Sequence, residues 1–127
     1  MIHAFDPKQG LTFIDVAFTG PAVSRIARLA LDTGATTTLV SKEVLNDLGF
    51  DLANEPDRVP IMTGSAVTTV ARVVLTRITA LGRSLCGLPV LAHSLPANAP
   101  IAGLLGLDFL RDSELTIDFK AGQIRLA

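Results

Sequence analysis

The chain has 127 residues, room for one domain with a sizeable core, and it is apolar, with 49% hydrophobic residues and a mean hydropathy of +0.47. A net charge of −1 and the absence of Trp and Tyr exclude an electrostatic nucleic-acid binder and an aromatic platform for stacking bases or sugars. No apolar run reaches the roughly 18–20 residues of a membrane helix, and a lone cysteine, Cys86, excludes an internal disulfide.

Residues 1–10 contain His3, Asp6, Pro7 and Lys8, so they lack the apolar stretch of a secretory leader. Strict alternation over residues 11–18 predicts a strand, ended by Gly20-Pro21, and residues 23–31 predict a second. The β-prone segment 37–40 leads to Ser41, an N-cap for a short helix over 42–48 with Glu43 in its first turn and Gly49 as its stop. Residues 51–58 read as a loop.

Residues 59–62 and 67–78 predict two strands around Thr63-Gly64-Ser65-Ala66, the tip of a hairpin; the second run is too β-branched for a helix. Residues 88–92 predict a further strand and 95–100 a loop. Residues 108–112 predict about one helical turn. The tail alternates over 114–119 and 123–126 around Lys120-Ala121-Gly122, a closing hairpin with one buried face. No linker or low-complexity tract interrupts the chain, so the expectation is one mostly β domain over 1–127 with one or two short helices.

Chemistry concentrates in Leu29-Ala30-Leu31-Asp32-Thr33-Gly34-Ala35-Thr36. An acid directly after an apolar strand is held at a fixed point. A following Thr-Gly turn lets backbone N–H groups approach the carboxylate. The same three residues also suit a plain Asx turn, in which Asp32 bonds only its own backbone. A second segment, Ile101-Ala102-Gly103-Leu104-Leu105-Gly106-Leu107-Asp108-Phe109-Leu110, reads alone as a buried strand entering a short helix.

Together the two segments resemble the retropepsin-like aspartic proteases, the single-domain retroviral type with cellular and bacterial members. The order of the elements, the central hairpin and the closing hairpin fit that family too. The resemblance implies an acid-protease β-barrel that works as a homodimer, one catalytic carboxylate per chain. It matches Asp32 to that acid, Thr33 to the threonine that grips the dimer mate, and Gly34 and Ala35 to the rest of the active-site loop. It matches Leu104-Leu105-Gly106 to the segment packed under the loop, and the hairpin at about 59–74 to the flap, with Thr63, Gly64, Ser65 and Ala66 at its tip. Thr36 stands where retroviral members carry an acid that binds substrate backbone. Leu107 stands where they carry an arginine, and the flap has no Tyr.

The implied function is an aspartic endopeptidase, with a water activated between two Asp32 carboxylates. No cofactor or metal is expected, the partners being a second copy and a peptide substrate rather than nucleic acid or membrane. The expected location is the cytoplasm. The competing readings are a non-catalytic peptide-binding or dimerisation module on the same fold, and a structural β-domain with an accidental Asp-Thr-Gly. Apolar side chains such as Leu31, Ile61, Met62 and Val67 are expected to wall a cleft without fixed charge.

Other residues take plainer readings. The resemblance puts Asp108 at a helix start, where it is expected to accept backbone N–H bonds rather than to act as a second acid. His3 and His93 lack companion metal ligands and are expected at the surface. Cys86 is expected to be a small buried side chain. Ser24, Ser84 and Ser94 have no nucleophile-elbow context, and Gly103 with Gly106 forms no phosphate loop, since no Lys follows.

Overall fold

A computed structural model of the chain describes all 127 residues, with the side chain of Thr63 excepted. In chain order the elements are β1 (Ile2–Ala4), β2 (Phe13–Thr19), β3 (Ser24–Leu31), β4 (Leu39–Ser41), α1 (Lys42–Asp47), a 3-10 turn (Leu52–Asn54), β5 (Arg58–Thr63), β6 (Ala66–Ala80), β7 (Arg83–His93), β8 (Gly103–Leu105), α2 (Leu107–Leu110), β9 (Leu115–Asp118) and β10 (Gln123–Leu126).

Six strands close a barrel in the order β2-β3-β8-β4-β7-β6, with β2 pairing back to β6 and β5 attached outside as an edge strand on β6. The alternation of β2 explains why it closes that barrel. Ile14, Val16 and Phe18 are buried while Asp15 faces out, as period-2 side-chain geometry requires. The core gathers Val16, Phe18, Leu29, Val40, Leu75, Ile78, Leu105 and Phe109, all at 0% exposure. Each such Leu or Phe contributes about 1.5–3 kcal/mol through loss of contact with water.

A smaller sheet, β1-β10-β9, carries the chain termini. Its inner face presents Ile117, Ile124 and Leu126 to the core.

The helix expected after Ser41 forms one residue shorter than its pattern. The Ser41 hydroxyl accepts from the Val44 N–H at 3.2 Å. Gly49 ends it at φ +104, with Ala22 so close that a Cβ would lie 2.7 Å from its methyl.

Several expectations move. β7 starts at Arg83 rather than 88, because residues 83–86 pair with β6 through a two-residue turn in which Leu81 (φ 53) and Gly82 (φ 76) are both left-handed. Gly82, Ser84 and Gly87 disguise that pairing in the sequence. β1 had no periodic signature in three residues and is made by its pairing with β10. β9 stops at Asp118, whose Oδ1 accepts the N–H groups of Lys120 and Ala121.

Cys86 is exposed, not buried. It lies on the outward side of β7, where alternation overrides its apolar neighbours. His3 and His93 are half-buried rather than exposed, on the paired strands β1 and β7.

Candidate active site

Asp32 follows the last residue of β3. Parallel pairing of β3 with β8 sets Ala30 beside Leu104 and Leu31 beside Leu105. The ladder continues one step further, because the Asp32 N–H donates to the Leu105 carbonyl at 2.9 Å. The acid is thus anchored to the barrel wall at its own backbone. The chain then turns: the Ala35 N–H donates to the Asp32 carbonyl at 3.2 Å, and the Gly34 N–H donates to Asp32 Oδ1 at 2.8 Å. A Cβ on Gly34 would stand 3.1 Å from that oxygen, so glycine keeps the approach open. Asp32 is half-buried, while Thr33 and Gly34 are exposed. Among the described residues the Thr33 hydroxyl has no hydrogen-bond partner within the chain.

The loop after Asp32 is stapled to the start of α2. The Leu107 N–H donates to the Ala35 carbonyl at 2.8 Å and the Asp108 N–H to the Thr36 carbonyl at 3.2 Å. Gly106 sits where the two backbones meet: a Cβ there would lie 2.8 Å from the Ala35 oxygen and 3.0 Å from the Thr37 carbonyl carbon. Leu104, Leu105 and Gly106 therefore come together with Asp32, Gly34 and Ala35.

Asp108 caps this junction. It accepts the Phe109 N–H at 2.9 Å, a backbone donor at the helix start, and it also reaches across the fold. The Thr38 N–H donates to Asp108 Oδ2 at 2.9 Å and the Thr38 hydroxyl to Oδ1 at 2.6 Å. That hydroxyl in turn accepts the Gly106 N–H at 3.1 Å. Thr38 is wholly buried, and a buried, fully paired hydroxyl rigidifies what it joins. Sequence reasoning missed Thr38. It is one of three consecutive threonines, and nothing local sets it apart.

β5 and β6 form the expected hairpin, with Thr63 paired to Ala66 and only Gly64-Ser65 between them, Gly64 at φ +61. Between β5 and the loop after Asp32 lies a cleft of about 440 Å³, lined by Thr37, Val59, Ile61, Leu88, Arg72 and Asp108 among others. Of the four side chains expected to wall a substrate cleft, Ile61 lines this one, whose lining does not include Asp32. Met62 and Val67 stand exposed on the hairpin near its tip, and Leu31 is half-buried at the end of β3. The cleft is not free of charge, because Arg72 and Asp108 line it. Asp57 accepts two bonds from the Arg72 guanidinium and holds it above even the usual arginine range. No group of three or more His, Cys, Asp or Glu side chains suited to a metal comes together among the described residues.

Residues 21–112 match the family described as "gag-polyprotein putative aspartyl protease", a span that contains Asp32, the hairpin and the Gly106–Asp108 junction. The fold is similar to that of a solved retropepsin-like aspartic protease from Rickettsia conorii. The TM-score is 0.73 at 22% identity, over 100% of this chain and 91% of that one. No curated protein matches the chain. The chain belongs to the gag-polyprotein aspartyl protease family and has the retropepsin-like fold.

Proposed function

We propose that the chain is a single-domain aspartic endopeptidase, residues 1–127, that hydrolyses peptide bonds as a homodimer with one Asp32 from each subunit. The observation that carries this reading is the presentation of Asp32. Its backbone is tied to Leu105, one carboxylate oxygen is held by the Gly34 N–H, and the loop is pinned by Gly106 and Asp108. Such a carboxylate is fixed in position yet reachable. The chain carries one Asp-Thr-Gly, so a two-fold axis supplies the second acid. In this reading the Thr33 hydroxyl, without a partner among the described residues, bonds across that axis, and the hairpin tip at Thr63, Gly64, Ser65 and Ala66 acts as the flap.

Two carboxylates brought that close share one proton, because both cannot ionise cheaply. The ionised one takes a proton from a water between them. That water attacks the peptide carbonyl carbon, while the protonated acid donates to the carbonyl oxygen. Collapse of the tetrahedral intermediate releases the amine, which takes up a proton from the acids, and no covalent enzyme intermediate forms. Thr36 in place of an acid removes one grip on substrate backbone, so side-chain contacts carry more of the binding. The predominantly apolar lining supports apolar side chains in the substrate. A chain with no cysteine pair supports a reducing, cytoplasmic setting.

Asp32→Asn tests the reading. Asn keeps the shape but cannot serve as the base, and in a dimer one substitution removes both acids. Peptide cleavage is expected to fall by more than the ~10²–10⁴ that general acid–base catalysis alone supplies, with the thermal melt unchanged or raised. Cleavage near the wild-type rate would remove Asp32 from the mechanism. A well-formed dimer in which neither protein cleaves would favour a peptide-binding module.

A further inference from the structure

The hairpin β5–β6 leaves the barrel at a defined point. Residues 66–71 of β6 pair only with β5, whereas from Arg72 onward β6 pairs with β7, beginning with Arg72 opposite Leu91. β5 has no other strand neighbour. The arm held as sheet only by β5–β6 pairing is therefore 58–71, with Val70 and Ala71 buried at its foot, and its root is the pair of residues Asp57 and Arg72. These two are joined three times. The Arg72 N–H donates to the Asp57 carbonyl at 2.9 Å. Arg72 Nε donates to Asp57 Oδ2 at 2.9 Å and Nη2 to Oδ1 at 3.2 Å. A two-pronged guanidinium–carboxylate bond fixes orientation as well as distance. The foot of the arm is also held by Arg58 Nη2, which donates to the Leu52 carbonyl at 2.9 Å, and by the burial of Val70 and Ala71.

Arg72 also lines the cleft beneath the arm together with Thr37 of the loop after Asp32, so the residue that closes the root also borders the loop that carries the candidate acid. We propose that the Asp57–Arg72 ion pair is the hinge lock of the hairpin, setting the arm's angle over the cleft and thereby substrate affinity rather than the rate of bond breaking. Asp57 is a positioning residue in this scheme: it acts through Arg72 and does not itself line the cleft. The inference rests on the endopeptidase reading only for its kinetic consequence, since the hinge is a property of the fold.

The test has two arms. Amide hydrogen exchange is followed in wild type, Asp57→Asn, Arg72→Met and the double variant, with no substrate present. Each single substitution is expected to speed exchange of the β5–β6 amides over 59–70 by about two- to fivefold, the range for a half-exposed ion pair. Amides paired between β2 and β3 should not change, and the double variant should go no further than either single. High salt should reproduce the effect in wild type alone. Unchanged exchange in the arm, equal acceleration through the barrel, or simple additivity of the two substitutions would overturn the lock.

In the second arm, Asp57→Asn is expected to raise KM for a cleaved peptide by a similar factor with kcat held. A fall in kcat with KM unmoved would overturn the proposed consequence. If wild type cleaves nothing, the endopeptidase reading fails while the exchange arm still decides the hinge.

Discussion

Thr38 does at one position what several residues do elsewhere in the loop. Its hydroxyl both donates to Asp108 and accepts from Gly106, and its N–H reaches the same carboxylate. Thr38→Val keeps the shape and removes the hydroxyl, leaving the Gly106 N–H without its partner in a buried setting. The expected cost is about 1–3 kcal/mol, the penalty for an unmet buried polar group, measured by denaturant unfolding. Thr38→Ser should recover most of it. A valine variant as stable as wild type would show that the hydroxyl is not needed.

The setting of Asp32, directly after a strand and before a turn whose Gly34 N–H meets its carboxylate, was legible in the sequence because it is local. Thr38 was not, because its partners lie 68 and 70 residues away and only the fold brings them together. The same reason separates the right and wrong readings of single residues. Asp108 was read as a helix-start acceptor through the family resemblance, and its carboxylate accepts the Phe109 N–H there. Cys86 misled, because its apolar neighbours suggested burial while its strand turned it outward.

Elements were legible where a cap or an alternating face marked them. Ser41 and Gly49 bracket α1, and the tail hairpin shows its period in both strands. The outer half of β7 was hidden, since its residues are held by pairing with β6 and not by propensity. β1 was hidden for the same reason.

The junction of β8 and α2 is the element-scale counterpart of Thr38. Gly106 lets the chain pass within contact of the Ala35–Thr37 backbone, and backbone on both sides leaves little room to yield. Gly106→Ala is therefore expected to displace the loop after Asp32. We expect a loss of stability on the order of 2 kcal/mol, typical of overpacking, and a loss of cleavage larger than that stability change explains at a temperature where the variant is still folded. A paired thermal melt and peptide assay checks this. Full activity in a folded Ala variant would show that the junction does not position Asp32.

At the scale of the whole molecule the composition divides between two uses. Much of the apolar content fills the barrel core, but Met1, Ile2 and Phe119 stay exposed on or beside the terminal sheet, and Met62 and Val67 on the hairpin. In the proposed homodimeric endopeptidase, a second copy and a peptide substrate would cover apolar surface of this kind. The barrel is built from contacts within one chain, which is why the sequence points to it more directly than to any assembly. The retroviral arginine after Gly106 is Leu107 here, so any dimer forms without that charge and leans more on shape and apolar contact.

The measurement that bears most directly on a shared active site is subunit mixing. Wild-type and Asp32→Asn chains are combined at constant total concentration, well above the dimer dissociation constant, and allowed to exchange before peptide cleavage is followed. If each site needs an Asp32 from both subunits, activity falls as the square of the wild-type fraction, so an equal mixture retains about a quarter of the full rate. Activity falling in simple proportion to the wild-type fraction, to about half in that mixture, would mean that one chain carries a complete site and would contradict the account.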